Sequence, residues 1–188
     1  MSARAESPVG EERVWLLRAI LVLVSPRAVF ALLRDDSDSA ARSRSEAVLA
    51  LVLLAGIASV LWTPTYGRLM DDVVIDGLLV AVIAFIGGGI YGFAVYFAGG
   101  LLLYWLTRAV GGITYRQARH VLAFAAAPLA LSLFLVWPVR LAVYGEDVFR
   151  SGGSDRGPGN TAFIAVELAF AVWALGLLVV GIRALRRR

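Results

Sequence analysis

Three charged residues stand where a lipid-embedded chain can least tolerate them. Arg140 lies about four residues before the end of one long apolar run, and Glu167 lies about six residues into the next. Asp76 is near the start of an earlier run. At helical rise, all three sit roughly 6–10 Å inside the outer boundary of a bilayer. Charge at that depth is costly, so such groups pair with one another or face a wet cavity. Arg140 and Glu167 are therefore expected to lie close, with Asp76 as a third member. The chemistry open to this trio is a structural ion pair, a substrate or proton path, or interfacial snorkelling.

Other reactive groups are scarce. The chain has no cysteine and one histidine, His120, which excludes disulfides, thiolate chemistry and a multi-histidine metal centre. All 18 basic residues are arginine, so Schiff-base chemistry and a P-loop lysine are excluded too. His120 follows Arg116 and Arg119 at a span entrance and reads as a satisfied interfacial histidine, because catalysis needs a positioned partner. Ser151 and Ser154 fall on the opposite side of the expected membrane. The loop Ser151 to Asn160 has Asp155 and Asn160 but no ligand-rich repeat. No catalytic residue, cofactor or metal site is expected. The basic residues border apolar segments without aromatic interleaving, so no nucleic-acid partner is expected either.

The elements that position these groups follow from hydropathy. The 188 residues are 60% hydrophobic and 17% charged, with a mean hydropathy of +0.78. Spans need about 20 apolar residues each, and four are expected: 47–64, 73–107, 120–144 and 161–182. The second is about 50 Å long and could be read as two short spans broken at Gly87, Gly88 and Gly89. Charge decides this. With four spans, seven arginines precede the first, three lie in the middle loop and four end the chain, leaving only Arg68, Arg140, Arg150 and Arg156 outside. Both termini are then cytoplasmic, in the cell (plasma or inner) membrane. Arg13, Arg18, Arg108, Arg116, Arg119, Arg186, Arg187 and Arg188 are assigned to topology and lipid headgroups. Pro128 and Pro138 should kink the third span.

Residues 1–12 mix Ser, Pro, Gly and both charge signs and are expected to be disordered. Residues 13–46 read as amphipathic interfacial helices and a hinge, with Ser25-Pro26 opening the second helix. A signal peptide over Ala19 to Val24 is opposed by Glu6, Glu11, Glu12 and Arg18. Residues 183–188 form a basic tail. Gly88 and Gly92 make a GxxxG pair, extended by Ala84 and Gly99. Such small residues allow close backbone approach. The seam is ordinary packing within one protomer, a homodimer contact, or a helix break.

The order of features resembles the Yip family of Ypt-interacting membrane proteins, specifically its small prokaryotic members. The carrying segments are Ser25-Pro26-Arg27-Ala28-Val29-Phe30-Ala31-Leu32-Leu33 and Gly111-Gly112-Ile113-Thr114-Tyr115-Arg116-Gln117-Ala118, leading to Pro128, with Trp173 and the stretch Gly176 to Arg183 beyond. The resemblance implies a helical membrane domain with a cytoplasmic N-terminus. Family members usually have five spans, against the four expected here. Eukaryotic relatives are linked to vesicle traffic and small GTPases, but this N-terminus lacks their long acidic region, so no small-GTPase partner is inferred. The expectation is a non-enzymatic all-α membrane bundle whose partners are the bilayer, itself as a homo-oligomer, or other membrane proteins. The alternative is a small transporter or channel subunit that uses the charge trio.

Overall fold

A computed structural model describes residues 8–108, 112–153 and 157–186. Helices account for the regular structure among these residues, and no strand occurs. Three short helices come first: α1 (Pro8–Leu21), α2 (Pro26–Leu32) and α3 (Asp38–Ser43). The membrane domain follows as α4 (Ser45–Leu61), α5 (Gly77–Arg108), α6 (Tyr115–Phe149) and α7 (Pro158–Arg186). The last three are long and apolar enough to cross a membrane. At 17 residues, α4 is shorter, about 26 Å against a hydrocarbon core of about 30 Å.

Several boundaries depart from expectation for local reasons. The first helix begins at Pro8 rather than Arg13, because proline suits the first helical position. Residues 1–7 lie outside the described residues. Pro26 opens α2 as expected, although the Ser25 side chain makes no cap hydrogen bond. Gly87, Gly88 and Gly89 do not break α5. Its one irregularity is a π-helical turn at Val95–Gly99, and the rod continues to Arg108. The two prolines interrupt α6 into Tyr115–Ala125, Ala127–Leu135 and Trp137–Tyr144, ending in a 3-10 turn. Each α-helical segment after the first restarts at a proline in its first turn, where the missing N–H is harmless.

The main core joins the N-terminal helices to the bundle. Trp15 from α1, Val22 from the turn after it, and Val29 and Phe30 from α2 are buried with Leu33, Val48, Leu51, Val121, Phe124 and Leu177. A second cluster closes the other end, where Trp137 stacks on Phe149 beside Met70, Val80 and Val148. Between the two ends, α4 and α5 form the closest helix pair. A Cβ added at Gly56 would overlap the Gly88 carbonyl oxygen and lie 2.9 Å from Gly92 Cα. One added at Gly88 would lie 2.5 Å from Ile57 Cα, and one at Gly92 would overlap the Val52 carbonyl. Only glycine permits that approach, so the GxxxG pair with buried Ala84 packs within one chain, against α4. Gly99 faces α6 instead, at Leu122.

Candidate functional site

The end of the bundle that carries α1–α3 holds a polar network built from four elements. A capping box starts α6: Thr114 Oγ1 accepts from Gln117 N–H at 3.1 Å, and Gln117 Oε1 accepts from Thr114 N–H at 3.0 Å. The same Thr114 hydroxyl donates to Asp36 Oδ2 at 2.7 Å, and Gln117 Nε2 donates to the carbonyls of Leu33 and Arg34. Thus the segment Gly112 to Ala118 both starts a span and holds the hinge that carries α3.

Arg44 is the centre of this network and is fully buried. Its Nε donates to His120 Nδ1 at 2.9 Å, and its Nη1 donates to the Asp35 carbonyl at 2.9 Å. Its Nη2 lies 3.7 Å from Asp36 Oδ1, and Trp15 covers its flat face with the ring centroid 5.9 Å away. Because Nδ1 accepts, the imidazole proton sits on Nε2 and the ring is neutral. His120 is thereby committed as an acceptor, while Ser151 bonds to Asp71 just beyond the opposite end of α6.

Two of the arginines assigned to headgroups turn inward here. Arg116 binds Asp38 at 2.6 Å and lies 3.6 Å from Asp36. Arg119 is enclosed by the rings of Tyr96, Phe97 and Tyr115, at 5.2, 5.0 and 4.6 Å, with Gly100 leaving room for its stem. The hydrogen bond from Arg116, and then its charge, holds the Asp38 carboxyl below its ordinary value. A backbone N–H from Ser37 does the same for Asp35. Arg18 stacks over Trp15 at 4.6 Å and Arg108 over Trp105 at 5.4 Å. Arg186 ends α7. Arg187 and Arg188 lie outside the described residues, as does the side chain of Arg13.

At the other end, Arg140 and Glu167 are both buried and both lie beside Trp62, with no contact between them within ion-pair distance. Arg140 Nη2 donates to Asn160 Oδ1 at 3.1 Å, and its guanidinium lies 5.2 Å from the Trp62 ring and 5.4 Å from Trp137. The Glu167 carboxyl is flanked by the side chains of Trp62 and Ser132. It also lines a lateral cleft of about 320 Å³ that is otherwise mostly apolar, between Ala58, Ser59, Leu129, Ile164 and Ala171. Asp76 has a different role: its carboxylate caps α5, accepting from Leu79 N–H at 2.8 Å. Among the described residues, no hydrogen bond or ion pair ties it to Arg140 or Glu167.

The geometry therefore sets Arg140 and Glu167 both beside Trp62 without pairing them, and it brings together Arg44, His120, Asp36 and Arg116 at the other end. Asp36, Thr114 and Gln117 went unassigned in the sequence, although the T-x-x-Q spacing of a capping box was there to be read. No group of three or more His, Cys, Asp or Glu among the described residues is placed to hold a metal ion.

The Yip1 domain family matches residues 20–188. No curated protein matches the chain, and no solved structure does. Because the family match takes in every element from the last turn of α1 onward, the chain belongs to the Yip family of membrane proteins.

Proposed function

We propose that this protein is a four-span, non-enzymatic component of the cell membrane with both termini cytoplasmic, acting by helix–helix assembly with itself or with other membrane proteins as a scaffold or membrane organiser. The observation that carries this reading is the exposure of α7. Only 11% of its most apolar stretch is buried, against 56% for α6. Leu168, Val172, Leu175 and Val179 face outward, and nothing lies within 4 Å of a Cβ added at Gly176. With the glycine seam occupied internally by α4, α7 is the face left for a neighbour. The N-terminal helices serve as the interfacial contact element: Leu17, Ile20 and Val24 stay exposed while Trp15 and Val22 anchor α1 to the core.

Because the chain contains no cysteine, single cysteines report cleanly. Cysteines placed in turn from Leu168 to Val179 should cross-link in native membranes with a helical period, to a second copy or to a discrete partner. A chain that stays uncross-linked at every position and purifies as a monomer holding a small molecule would overturn the assembly reading. Cysteines at Ser39 and Ser151 test the topology, since only the second should react with an impermeant reagent added outside.

The transporter reading draws on the cleft beside Glu167. Its test is Glu167→Gln with folding measured separately: loss of a solute flux in a normally folded variant would favour transport.

A further inference from the structure

The groove between α2 and the end of α7 is lined by Arg27, Ala31, Arg34, Val180, Arg183 and Ala184, and encloses about 210 Å³. Three guanidiniums converge there, Arg27 from α2, Arg34 from the turn after it and Arg183 from α7, and among the described residues no carboxylate lines the groove. None of the three forms an ion pair among the described residues. Arg34 directs Nε and Nη2 to the Ala184 carbonyl at 3.1 and 2.6 Å, which holds its guanidinium in place and neutralises an end-of-helix acceptor. Arg27 and Arg183 make no hydrogen bond to any described residue. Both side chains are exposed, so they present charged donors at the mouth of the groove.

The surroundings indicate what such donors would bind. Below Arg183, at helical spacings of four and eight, Val179 and Leu175 continue the same face of α7, and both are exposed. The site is thus a basic pocket with an apolar track running from it into the bilayer. The C-terminal end of α7 contributes about half a negative charge against three positive ones, so the net field favours an anion. The volume corresponds to roughly seven water molecules, the scale of a headgroup.

We propose that this groove binds one anionic phospholipid per protomer, its phosphodiester held by Arg27, Arg34 and Arg183 and an acyl chain lying along Val179 and Leu175. The site requires only that the ends of α2 and α7 lie at a membrane surface. It rests on the cytoplasmic assignment for the choice of leaflet, and a neighbour on α7 would then meet Leu168 and Val172 directly and Leu175 and Val179 across the acyl chain.

The test uses the full chain, stripped of lipid in detergent and returned to nanodiscs containing phosphatidylglycerol and phosphatidylcholine, with bound lipid counted by native mass spectrometry. One phosphatidylglycerol should be retained per protomer in preference to phosphatidylcholine. An arginine at an anionic surface contributes about fivefold, so Arg27→Gln with Arg183→Gln should weaken retention on the order of 30-fold. The lysine pair at the same positions should stay within a few-fold of the parent, and Arg42→Gln, exposed on α3 and outside the groove, should leave the count unchanged. Should the glutamine pair not fold, Arg183→Gln alone, at an exposed side chain, must show about the fivefold loss. Equal retention of the two lipids, or a glutamine pair that binds like the parent, would overturn the proposal. So would loss of the count in Arg42→Gln, which marks diffuse attraction. Displacement of the lipid by millimolar inorganic phosphate would reassign the groove to a soluble anion and overturn the lipid assignment.

Discussion

Replacing Gly56 by alanine tests whether the α4–α5 seam is the tightest contact in the bundle. The added methyl would overlap the Gly88 carbonyl oxygen and approach Gly92 Cα to 2.9 Å and Gly92 N to 3.0 Å. Carbon atoms at optimal separation are about 3.5–4.0 Å apart, so the helices must part by about 1 Å where they cross. A radial gap of about 0.5–1 Å already forfeits a quarter to a half of each dispersion contact. Those contacts matter more here than in a soluble core, because lipid supplies no hydrophobic force to hold two apolar helices together. Overpacking costs about 1–3 kcal/mol. Alanine is the better helix former by about 1 kcal/mol, which acts in the opposite direction. Because the atoms met are backbone and cannot turn aside, the overpacking cost should lie at its upper end, for a net loss of about 2 kcal/mol. The same change at Gly176 meets nothing within 4 Å and should gain about 0.5–1 kcal/mol. Two identical substitutions should thus move stability in opposite directions. The assay is reversible unfolding in mixed micelles titrated with sodium dodecyl sulfate and followed by circular dichroism. If both variants shift the same way, or Gly56→Ala is as stable as the parent, the seam does not hold the pair together.

Arg44→Met removes two charge-assisted hydrogen bonds and leaves His120 Nδ1 without a donor, at an expected cost of about 2–4 kcal/mol. Hydrogen exchange should accelerate over residues 26–43 while α5 stays protected. Arg140→Met forfeits the Asn160 hydrogen bond and two ring contacts and leaves Glu167 buried without its charge partner. A loss of about 2–3 kcal/mol is expected. A double-mutant cycle with Glu167→Gln should return a coupling of at least about 0.5 kcal/mol, and additivity would show that the two groups do not interact. For Asp38 the sign follows from a carboxyl held below its ordinary 3.8 by Arg116. Its contribution is complete above about pH 4 and is lost as pH falls through the lower folded value. The protection factor of α3 amides, corrected for the pH dependence of intrinsic exchange, should therefore be flat from pH 7 to 5 and fall only in stronger acid, and loosening near pH 6 would refute the assignment.

Much of this protein is determined by local sequence. Long apolar runs have few alternatives to helices in lipid, because each backbone N–H and C=O must be satisfied within its own segment. Prolines interrupt α6 where they stand because they lack the donor, and Thr114 with Gln117 starts it because their spacing closes a capping box. The family was legible too, since its segments are read in order along the chain. Partnership was not. Arg116 and Arg119 border a span and so look like headgroup contacts. They turn inward only because folding brings Asp36, Asp38 and three aromatic rings to that point. Gly88 and Gly92 announce a close contact without naming the other helix, and packing supplies α4. Arg44 reads as one more inside charge, yet it is buried against a histidine 76 positions away. Sequence alone settles which segments are helical, because that depends on each segment's own backbone and solvent. Which charges are paired, and which glycines are covered, depends on atoms brought together from distant parts of the chain, and only the tertiary structure decides it.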